Sequence, residues 1–124
     1  MISYGRIYDA LDHAKQRADQ MACPCDLLKL TRIFPIQEAI VEIAKSYRHI
    51  LFFEEAYYYG GISQLLGDQL LEQGYTGTYV RIAPKDFIRQ APMQVQLEQM
   101  GLSEEAMLKR ILQEWEKWNE HGTT

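Results

Sequence analysis

The chain has 124 residues, of which 47% are hydrophobic and 24% are charged, and this composition is typical of one globular domain. Its formal net charge of −4, from 13 Lys and Arg against 17 Asp and Glu, gives no electrostatic reason to bind nucleic acid. No apolar run approaches the roughly 18 residues that a membrane-spanning helix needs, and the first residues do not have the pattern of a signal peptide. We therefore expect a soluble, cytoplasmic protein without a nucleic-acid or membrane partner.

The first half of the chain alternates short apolar runs with amphipathic stretches. Residues 1–4 predict a strand, and an apolar stripe over residues 7–21, at intervals of three and four, predicts a helix. Residues 26–30 predict a second strand, and Pro35 stands where a first helical turn tolerates proline. The apolar run over residues 49–54 does not alternate, which is typical of a strand covered on both faces. We expect that strand at the centre of a sheet.

The next segment continues this alternation. Ser63 is predicted to cap a third helix, which ends before Gly74. Residues 78–82 predict a fourth strand, followed by a turn at residues 83–86 and an irregular stretch that begins at Phe87. The strand and helix units therefore follow one another regularly up to this point.

The last segment is predicted to be helical. Gly101 is expected to end a short helix over residues 95–100, and Ser103 to start the final helix, whose end frays over residues 119–124. Strand and helix units in strict sequence imply right-handed crossovers and a mostly parallel sheet with helices on both faces. We therefore expect a single three-layer α/β/α domain over residues 1–124.

An acidic pair, Glu54 and Glu55, ends the predicted central strand. The carboxyl ends of strands are where open α/β sheets usually bind ligands, so the pair could act as a general acid or base or contact a cofactor. Contact with another domain is a further alternative, and the simplest interpretation is that one of the two points to solvent. No His, Ser or Cys is positioned nearby in the sequence, and the pair alone does not define an active site.

Three tyrosines and two glycines follow the acidic pair. Tyr57, Tyr58 and Tyr59 cannot all point inward, and rings with a polar tip are favoured at interfaces, which predicts a contact surface. The alternative is one tyrosine in the core and two on the surface. Gly60 and Gly61 could hold an anion at the helix start, but the spacing of a dinucleotide or phosphate loop is absent. A sharp turn into the helix is the commoner explanation.

Cations and tryptophans near the end of the chain have ordinary interpretations. Arg81, Lys85 and Arg89 could meet a phosphate, but three cations in nine residues are more typical of a solvated surface. Trp115 and Trp118, three residues apart, predict one ring packed on the sheet and one partly exposed. Exposure of both rings would suggest a missing neighbour.

The cysteines and histidines do not predict a reactive centre. Cys23 and Cys25 flank Pro24 too closely for a disulfide framework or a tetrahedral zinc site. The three histidines have no paired-ligand spacing. We assign no catalytic, cofactor-binding or metal-ligating residue to this chain.

The order of several short motifs resembles a known family. The motifs are Ile2-Ser3-Tyr4-Gly5, residues 28–36 (LKLTRIFPI), Phe52-Phe53-Glu54-Glu55, Gly60-Gly61, residues 84–88 (PKDFI) and Gly101-Leu102-Ser103. This series resembles the C-terminal domain of the transketolase family, and most closely that of 1-deoxy-D-xylulose-5-phosphate synthase. Two departures are Ile62-Ser63-Gln64, where the family often has a small residue or glycine, and Gln90-Ala91, where it has a His-Gly pair.

The resemblance implies the last domain of a longer thiamine-diphosphate-dependent enzyme. It implies a five-stranded, mostly parallel sheet with one antiparallel strand, and an inactive isolated chain that supports dimer assembly and one wall of the substrate channel. In the family, a Gly-Asp-Gly motif of an earlier domain holds magnesium and the diphosphate. The nearest string here, Gly67-Asp68-Gln69, lacks the second glycine. The resemblance to the synthase further implies isoprenoid biosynthesis.

The expected partners are the other domains of the enzyme and a second subunit in a homodimer. The candidate interface residues are Glu54, Glu55, Tyr57, Tyr58, Tyr59, Gly60 and Gly61. Two alternatives remain open. One is a stand-alone module that binds an anionic small molecule or regulates another protein, using the glycine turn with Arg81 or Lys85. The other is the C-terminal domain of a 2-oxoacid dehydrogenase component, which shares this domain.

Overall fold

The structure is a computed structural model that describes residues 1–31, 35–85 and 92–120. A single 3-10 turn, Gly5–Ile7, precedes the first helix. The elements, in chain order, are β1 (Ile2–Ser3), α1 (Tyr8–Gln20), β2 (Leu28–Lys29), α2 (Glu38–Lys45), β3 (His49–Phe53), α3 (Ile62–Glu72), β4 (Thr78–Ile82), α4 (Met93–Met100) and α5 (Glu104–Glu120). Within these ranges, none of the helices combines the length and apolar character needed to cross a bilayer.

The four strands form one parallel sheet in the order β2-β1-β3-β4. β3 pairs with β1 on one side and with β4 on the other, as the apolar run predicts for a central strand. The expectation of a fifth, antiparallel strand is wrong, because the described residues form four strands and all their pairings are parallel. That expectation came from the family resemblance, whereas the apolar runs in the sequence account for four strands.

Helices cover both faces of the sheet, and β3 divides its side chains between two cores. Ile50 and Phe52 pack in the core under α2 and α3, whereas Leu51 and Phe53 pack in the core under α1 and α5. Successive side chains of a strand point to opposite faces, so a continuous apolar run fills both cores. Complete burial of a Phe side chain stabilises the fold by about 1.5–3 kcal/mol, and Phe52 and Phe53 are both fully buried.

Two helix starts differ from the prediction. Pro35 lies outside α2, because Gln37 has an extended backbone (φ −68°, ψ 141°) and the helix begins at Glu38. α4 begins at Met93, two residues before the predicted start, directly after Pro92. Proline is tolerated next to a helix start because the first N–H groups have no partner within the helix.

The predicted end of α4 and start of α5 are confirmed. Gly101 follows α4 with φ +78°, a left-handed conformation that favours glycine after a helix. The hydroxyl of Ser103 accepts a hydrogen bond from the N–H of Ala106 at 3.2 Å, which is the geometry of an N-terminal cap. The irregular stretch predicted from Phe87 falls, over residues 87–91, outside the described ranges. Fraying is predicted for residues 119–124, but Asn119 and Glu120 still belong to α5, and residues 121–124 lie outside the described ranges.

Candidate functional site

Glu54 follows β3 at the carboxyl edge of the sheet, and its side chain is fully buried. The carboxylate oxygen Oε2 accepts hydrogen bonds from the hydroxyl of Tyr4 at 2.5 Å and from the N–H of Ile62 at 2.8 Å. Oε1 accepts one from the N–H of Ser63 at 3.1 Å and one from the hydroxyl of the same residue at 2.7 Å. The chain itself therefore supplies four donors to this carboxylate.

Two elements bring these donors to one point. Tyr4 follows β1, which is paired with β3, and the carboxyl ends of adjacent parallel strands lie at the same edge of a sheet. Ile62 and Ser63 are the first residues of α3, where backbone N–H groups lack partners within the helix and the helix dipole favours negative charge. Glu54 therefore caps α3 and connects it to β1 and β3.

This arrangement corrects the prediction for Ser63 and changes the interpretation of Glu54. Ser63 lies inside α3, and the capping acceptor is the carboxylate of Glu54 rather than the serine hydroxyl. Since Glu54 has no exposed surface and both its oxygens accept from the chain, a substrate in solvent does not reach it. Glu54 thus lies inside the domain and does not form part of an exposed contact surface.

The hydroxyl of Tyr4 is held as a donor. Burial raises the pKa of Tyr4, and its hydrogen bond to the Glu54 carboxylate raises that pKa further, since both favour the protonated phenol. The phenol therefore keeps its proton and donates a hydrogen bond to the carboxylate. Sequence reasoning singled out Glu54 and missed Tyr4, although both follow strands that are neighbours in the parallel sheet.

Arg81, on β4, extends the network to the tyrosine loop, residues 57–59. Its Nε donates to the hydroxyl oxygen of Ser63 at 3.0 Å, and its Nη2 donates to the carbonyl of Tyr58. The guanidinium carbon lies 3.8 Å from the centre of the Tyr58 ring, and Nζ of Lys85 lies 4.5 Å from the same centre. Arg81 is half-buried rather than solvated, Lys85 is exposed as predicted, and Arg89 lies outside the described residues.

Glu55 lies at the surface and forms an ion pair. Nε of Arg6 is 2.8 Å from each of its carboxylate oxygens, and Nη2 is 2.6 Å from Oε2. The Arg6 side chain is 57% exposed, and a pair so open to solvent contributes little to stability. Nη1 of Arg6 also lies 3.0 Å from Sδ of Met93, which connects this pair to α4.

The tyrosine loop has one inward and two outward rings. Tyr58 is half-buried beneath Arg81, whereas Tyr57 is 52% exposed and Tyr59 is 62% exposed. Tyr59 contacts both neighbours, with ring centres 5.0 Å from Tyr58 and 5.6 Å from Tyr57. The two exposed rings agree with the alternative of one tyrosine in the core and two on the surface, but Tyr58 is half-buried and belongs to neither core. The role of the exposed rings as a contact surface stays a prediction.

Each glycine of the pair has a separate structural reason. Gly60 has φ +87°, a backbone conformation that residues other than glycine rarely adopt. A Cβ on Gly61 would lie 2.6 Å from Oε1 of Glu54 and 2.8 Å from the carbonyl oxygen of Tyr57. Gly61 therefore lets the chain approach the buried carboxylate closely, and that carboxylate occupies the helix start at which an external anion would bind.

The amino edge of the sheet holds the remaining candidate residues. Burial raises the pKa of Cys23 to about 11 and also raises the pKa of Cys25, so both thiols are protonated near neutral pH. The rings of His49 and Trp118 are stacked with centres 4.1 Å apart, and Trp115 and Trp118 are both half-buried. In the described ranges, no three His, Cys, Asp or Glu residues form a group that could hold a metal ion.

Comparison with known proteins identifies the family. Residues 1–107 match the family model described as the C-terminal domain of transketolase, and the chain belongs to this family. A solved structure described as "Split gene transketolase, inactive beta4 tetramer" matches 90% of this chain with a TM-score of 0.79 and 17% sequence identity. This chain covers 37% of that chain, and the likeness concerns the fold alone. No curated protein matches the sequence.

Proposed function

We propose that this domain is the non-catalytic C-terminal domain of a thiamine-diphosphate-dependent transferase of the transketolase type. The match of residues 1–107 to the transketolase C-terminal domain family carries the proposal. Thiamine diphosphate and magnesium then bind to other domains, in the same polypeptide or in a separate subunit, and the enzyme acts in the cytoplasm. The present domain supports dimer assembly and one wall of the substrate channel.

Two observations favour a structural role for this domain over a catalytic one. The carboxylate at the carboxyl edge of the sheet, Glu54, is enclosed by Tyr4 and the start of α3, and thus serves the fold. The solved split gene transketolase, of which this chain covers 37%, is described as inactive in its β4 tetramer. By analogy, we propose that the present chain is inactive without its partner domains.

Within the family, we propose the 1-deoxy-D-xylulose-5-phosphate synthase side, and hence isoprenoid biosynthesis. The support is the resemblance of the segments Pro84-Lys85-Asp86-Phe87-Ile88 and Gly101-Leu102-Ser103 to that enzyme. The alternative is a transketolase or a 2-oxoacid dehydrogenase component. Formation of 1-deoxy-D-xylulose 5-phosphate by the assembled enzyme supports the synthase, and transfer or oxidation without that product contradicts this assignment.

The chain and its catalytic partner provide the test of the general proposal. The partner is the polypeptide with a Gly-Asp-Gly motif that is encoded in the same reading frame or beside it. In calorimetry with thiamine diphosphate and magnesium, we expect no heat from this chain alone, and both cofactor binding and activity from the assembled pair. Micromolar binding by this chain alone, or full activity of the partner without it, would contradict the proposal.

We further propose that the tyrosine loop contacts the partner. Tyr57 and Tyr59 expose large rings at the carboxyl edge, and such rings bury much area at a small cost in side-chain entropy. Replacement of both tyrosines by alanine is expected to weaken assembly with the catalytic partner at least about tenfold, as measured by analytical ultracentrifugation. Met21→Ala, which alters an apolar residue 56% exposed at the opposite edge, is the control that leaves assembly unchanged. Equally tight assembly of the unmodified chain, the double tyrosine variant and Met21→Ala would show that the loop is not part of the interface.

The alternative of an anion-binding module finds little support at the glycine turn. The N–H groups of Ile62 and Ser63 already donate to Glu54, and Arg81 already donates to Ser63 and Tyr58. An anionic ligand there would have to displace a buried carboxylate of the chain, and it would meet like charge. We therefore favour the assembly role for this edge.

A further inference from the structure

The outer side of β4 has no strand beside it in the described part of the chain. β4 is the last strand in the order β2-β1-β3-β4, and all five of its residues pair with β3. The N–H of Thr78 and the carbonyl of Ile82 form hydrogen bonds with the residues that flank β3. Since backbone groups along a strand alternate in direction, those of Val80 also face β3, whereas those of Tyr79 and Arg81 face outward. No described residue forms a hydrogen bond with these outward groups.

Within the described residues, nothing along this edge blocks the addition of a further strand. Proline, lysine and bulges commonly protect exposed strand edges, but residues 78–82 (TYVRI) contain neither residue and pair with β3 without a bulge. The side chain of Arg81 does not cover the edge, because its guanidinium is bound to the hydroxyl of Ser63 and the carbonyl of Tyr58. The outward backbone groups are therefore available to another strand.

Two grooves follow this edge, one on each face of the sheet. On the side of α5, residues of β4 and α5 line a groove of about 410 Å³, in which Glu114 is paired with Arg110 and Lys117. On the side of α3, residues of β4 and α3 line a groove of about 350 Å³, which contains Asp68 and Arg81. Each groove thus carries charges of both signs rather than a block of like charge, so the edge does not strongly repel a second surface of its own kind.

We propose that β4 pairs with β4 of a second copy of this chain, antiparallel and about a two-fold axis at Val80. In this register Val80 lies opposite Val80 of the copy, and Tyr79 lies opposite Arg81 of the copy. The outward N–H and C=O groups of Tyr79 and Arg81 then all receive partners, because they are placed symmetrically about Val80. The backbone groups of Val80 itself are already bound to β3, so no group is left unpaired at the axis.

The side chains at this edge favour a second copy over an unrelated strand. The two-fold axis sets the β-branched Val80 against its own copy, and such pairs stabilise antiparallel strands. On the other face of the sheet, it sets the ring of Tyr79 beside the aliphatic stem of Arg81 of the copy. Leu71 lines the groove on the side of α3 and is 74% exposed, as is typical of a surface that a partner covers. β4 is thus complementary to itself.

The paired edge is separate from the tyrosine loop. The pairing would give the proposed dimer role a definite surface, but the inference does not rest on the proposed function, because two copies of this chain suffice for it. Measurements on this chain without its catalytic partner therefore test the pairing of β4 and leave the role of the tyrosine loop untouched.

Sedimentation equilibrium of the full chain tests the pairing. We expect the unmodified chain to reach twice the 14.5 kDa of one copy as its concentration rises to about 1 mM. Val80→Lys and Val80→Glu each set like charges opposite one another at the axis, and each is expected to weaken the dimer at least about tenfold. An equimolar mixture of the two sets opposite charges there and is expected to restore the dimer. Val80→Thr, which has a similar size and the same branching, is the uncharged control that retains it.

Amide hydrogen exchange of the unmodified chain tests the register without any substitution. The N–H groups of Tyr79 and Arg81 are expected to exchange at least about tenfold more slowly at about 1 mM protein than at about 10 µM, because only the dimer protects them. The N–H of Val80, which faces β3, is expected to be protected at both concentrations. This measurement decides the question even where the charged variants do not fold.

Three results would overturn the inference. The first is a mass of 14.5 kDa at all concentrations up to about 1 mM. The second is a dimer that survives in both charged variants, or a mixture of the two folded variants that associates no better than either alone. The third is exchange at Tyr79 and Arg81 that does not depend on concentration, and protection that arises only with the catalytic partner would assign this edge to that partner instead.

Discussion

Replacement of Glu54 by glutamine tests whether this residue holds the carboxyl edge together. The substitution keeps the size of the side chain but exchanges one acceptor oxygen for an NH₂ donor. Each oxygen of Glu54 accepts from one backbone N–H, that of Ile62 or that of Ser63, and from one hydroxyl. The hydroxyls of Tyr4 and Ser63 can turn to accept from the new amide. In either orientation of the amide, however, one backbone N–H faces a donor.

The cost follows from these contacts. A buried N–H left without an acceptor costs about 1–3 kcal/mol, and loss of a negative charge at a helix N-terminus costs a further 0.3–2 kcal/mol or so. We therefore expect Glu54→Gln to lower the free energy of unfolding by about 3 kcal/mol. For a chain of 124 residues, this corresponds to a fall of roughly 12 °C in the melting temperature.

Thermal and urea unfolding followed by circular dichroism measure this effect, and Glu55→Gln is the matched control. The control makes the same chemical change one residue later, at a surface pair with Arg6, and is expected to melt at nearly the temperature of the unmodified chain. Equal melting temperatures for the two variants would refute the capping role of Glu54. A loss confined to Glu54→Gln supports it.

Three further changes test other parts of the structure through the free energy of unfolding. Burial raises the pKa of Tyr79 above its ordinary value of 10.0, so the stability that its protonated phenol provides is present below about pH 10 and is lost as the pH rises further. Tyr79→Phe should therefore reduce the loss of stability between about pH 9 and 11, measured as the free energy of unfolding in urea at each pH. An unchanged slope of stability against pH would contradict this cause. Ala22 has φ +59° just after α1. In urea unfolding, Ala22→Gly should raise the free energy of unfolding by about 0.5–1 kcal/mol, whereas Ala22→Val should lower it. Gly61→Ala forces a Cβ within 2.6 Å of Glu54 and should cost about 2–3 kcal/mol in urea unfolding. Gly60→Ala meets open space at a positive φ and should cost only about 1 kcal/mol, and the reverse order would show that the close approach is not the constraint.

The layers of the fold could be predicted because local patterns determine them. The unbroken apolar run of β3 indicated a strand with both faces covered, and its side chains do fill two cores. Gly101 and Ser103 indicated helix ends through local backbone and side-chain chemistry, and both act as expected. The number of strands was not local information, and the expectation of five was taken from a resemblance rather than from the residues.

The site could be predicted only in part, because its partners are distant in sequence. Glu54 was located correctly at the end of the central strand, but its hydroxyl partner Tyr4 is 50 residues away and its helix begins after a turn. Ser63 had the residue type of a helix cap, and the structure shows that a carboxylate from the sheet takes that position instead. Residue type predicted that the helix start would be capped, whereas the identity of the cap depended on which strands were adjacent.

The carboxyl edge of the sheet differs from the usual arrangement of an open α/β sheet. In open α/β sheets a ligand commonly sits at the carboxyl edge, where a helix N-terminus offers free N–H groups. Here the side chain of Glu54 takes that place, and Gly61 has no Cβ that would prevent it. The carboxylate of Glu54 thus lies where an external anion would bind, and it joins the two ends of the loop from which Tyr57 and Tyr59 project. An edge with projecting rings and an internally satisfied helix start suits contact with another domain better than binding of an anion.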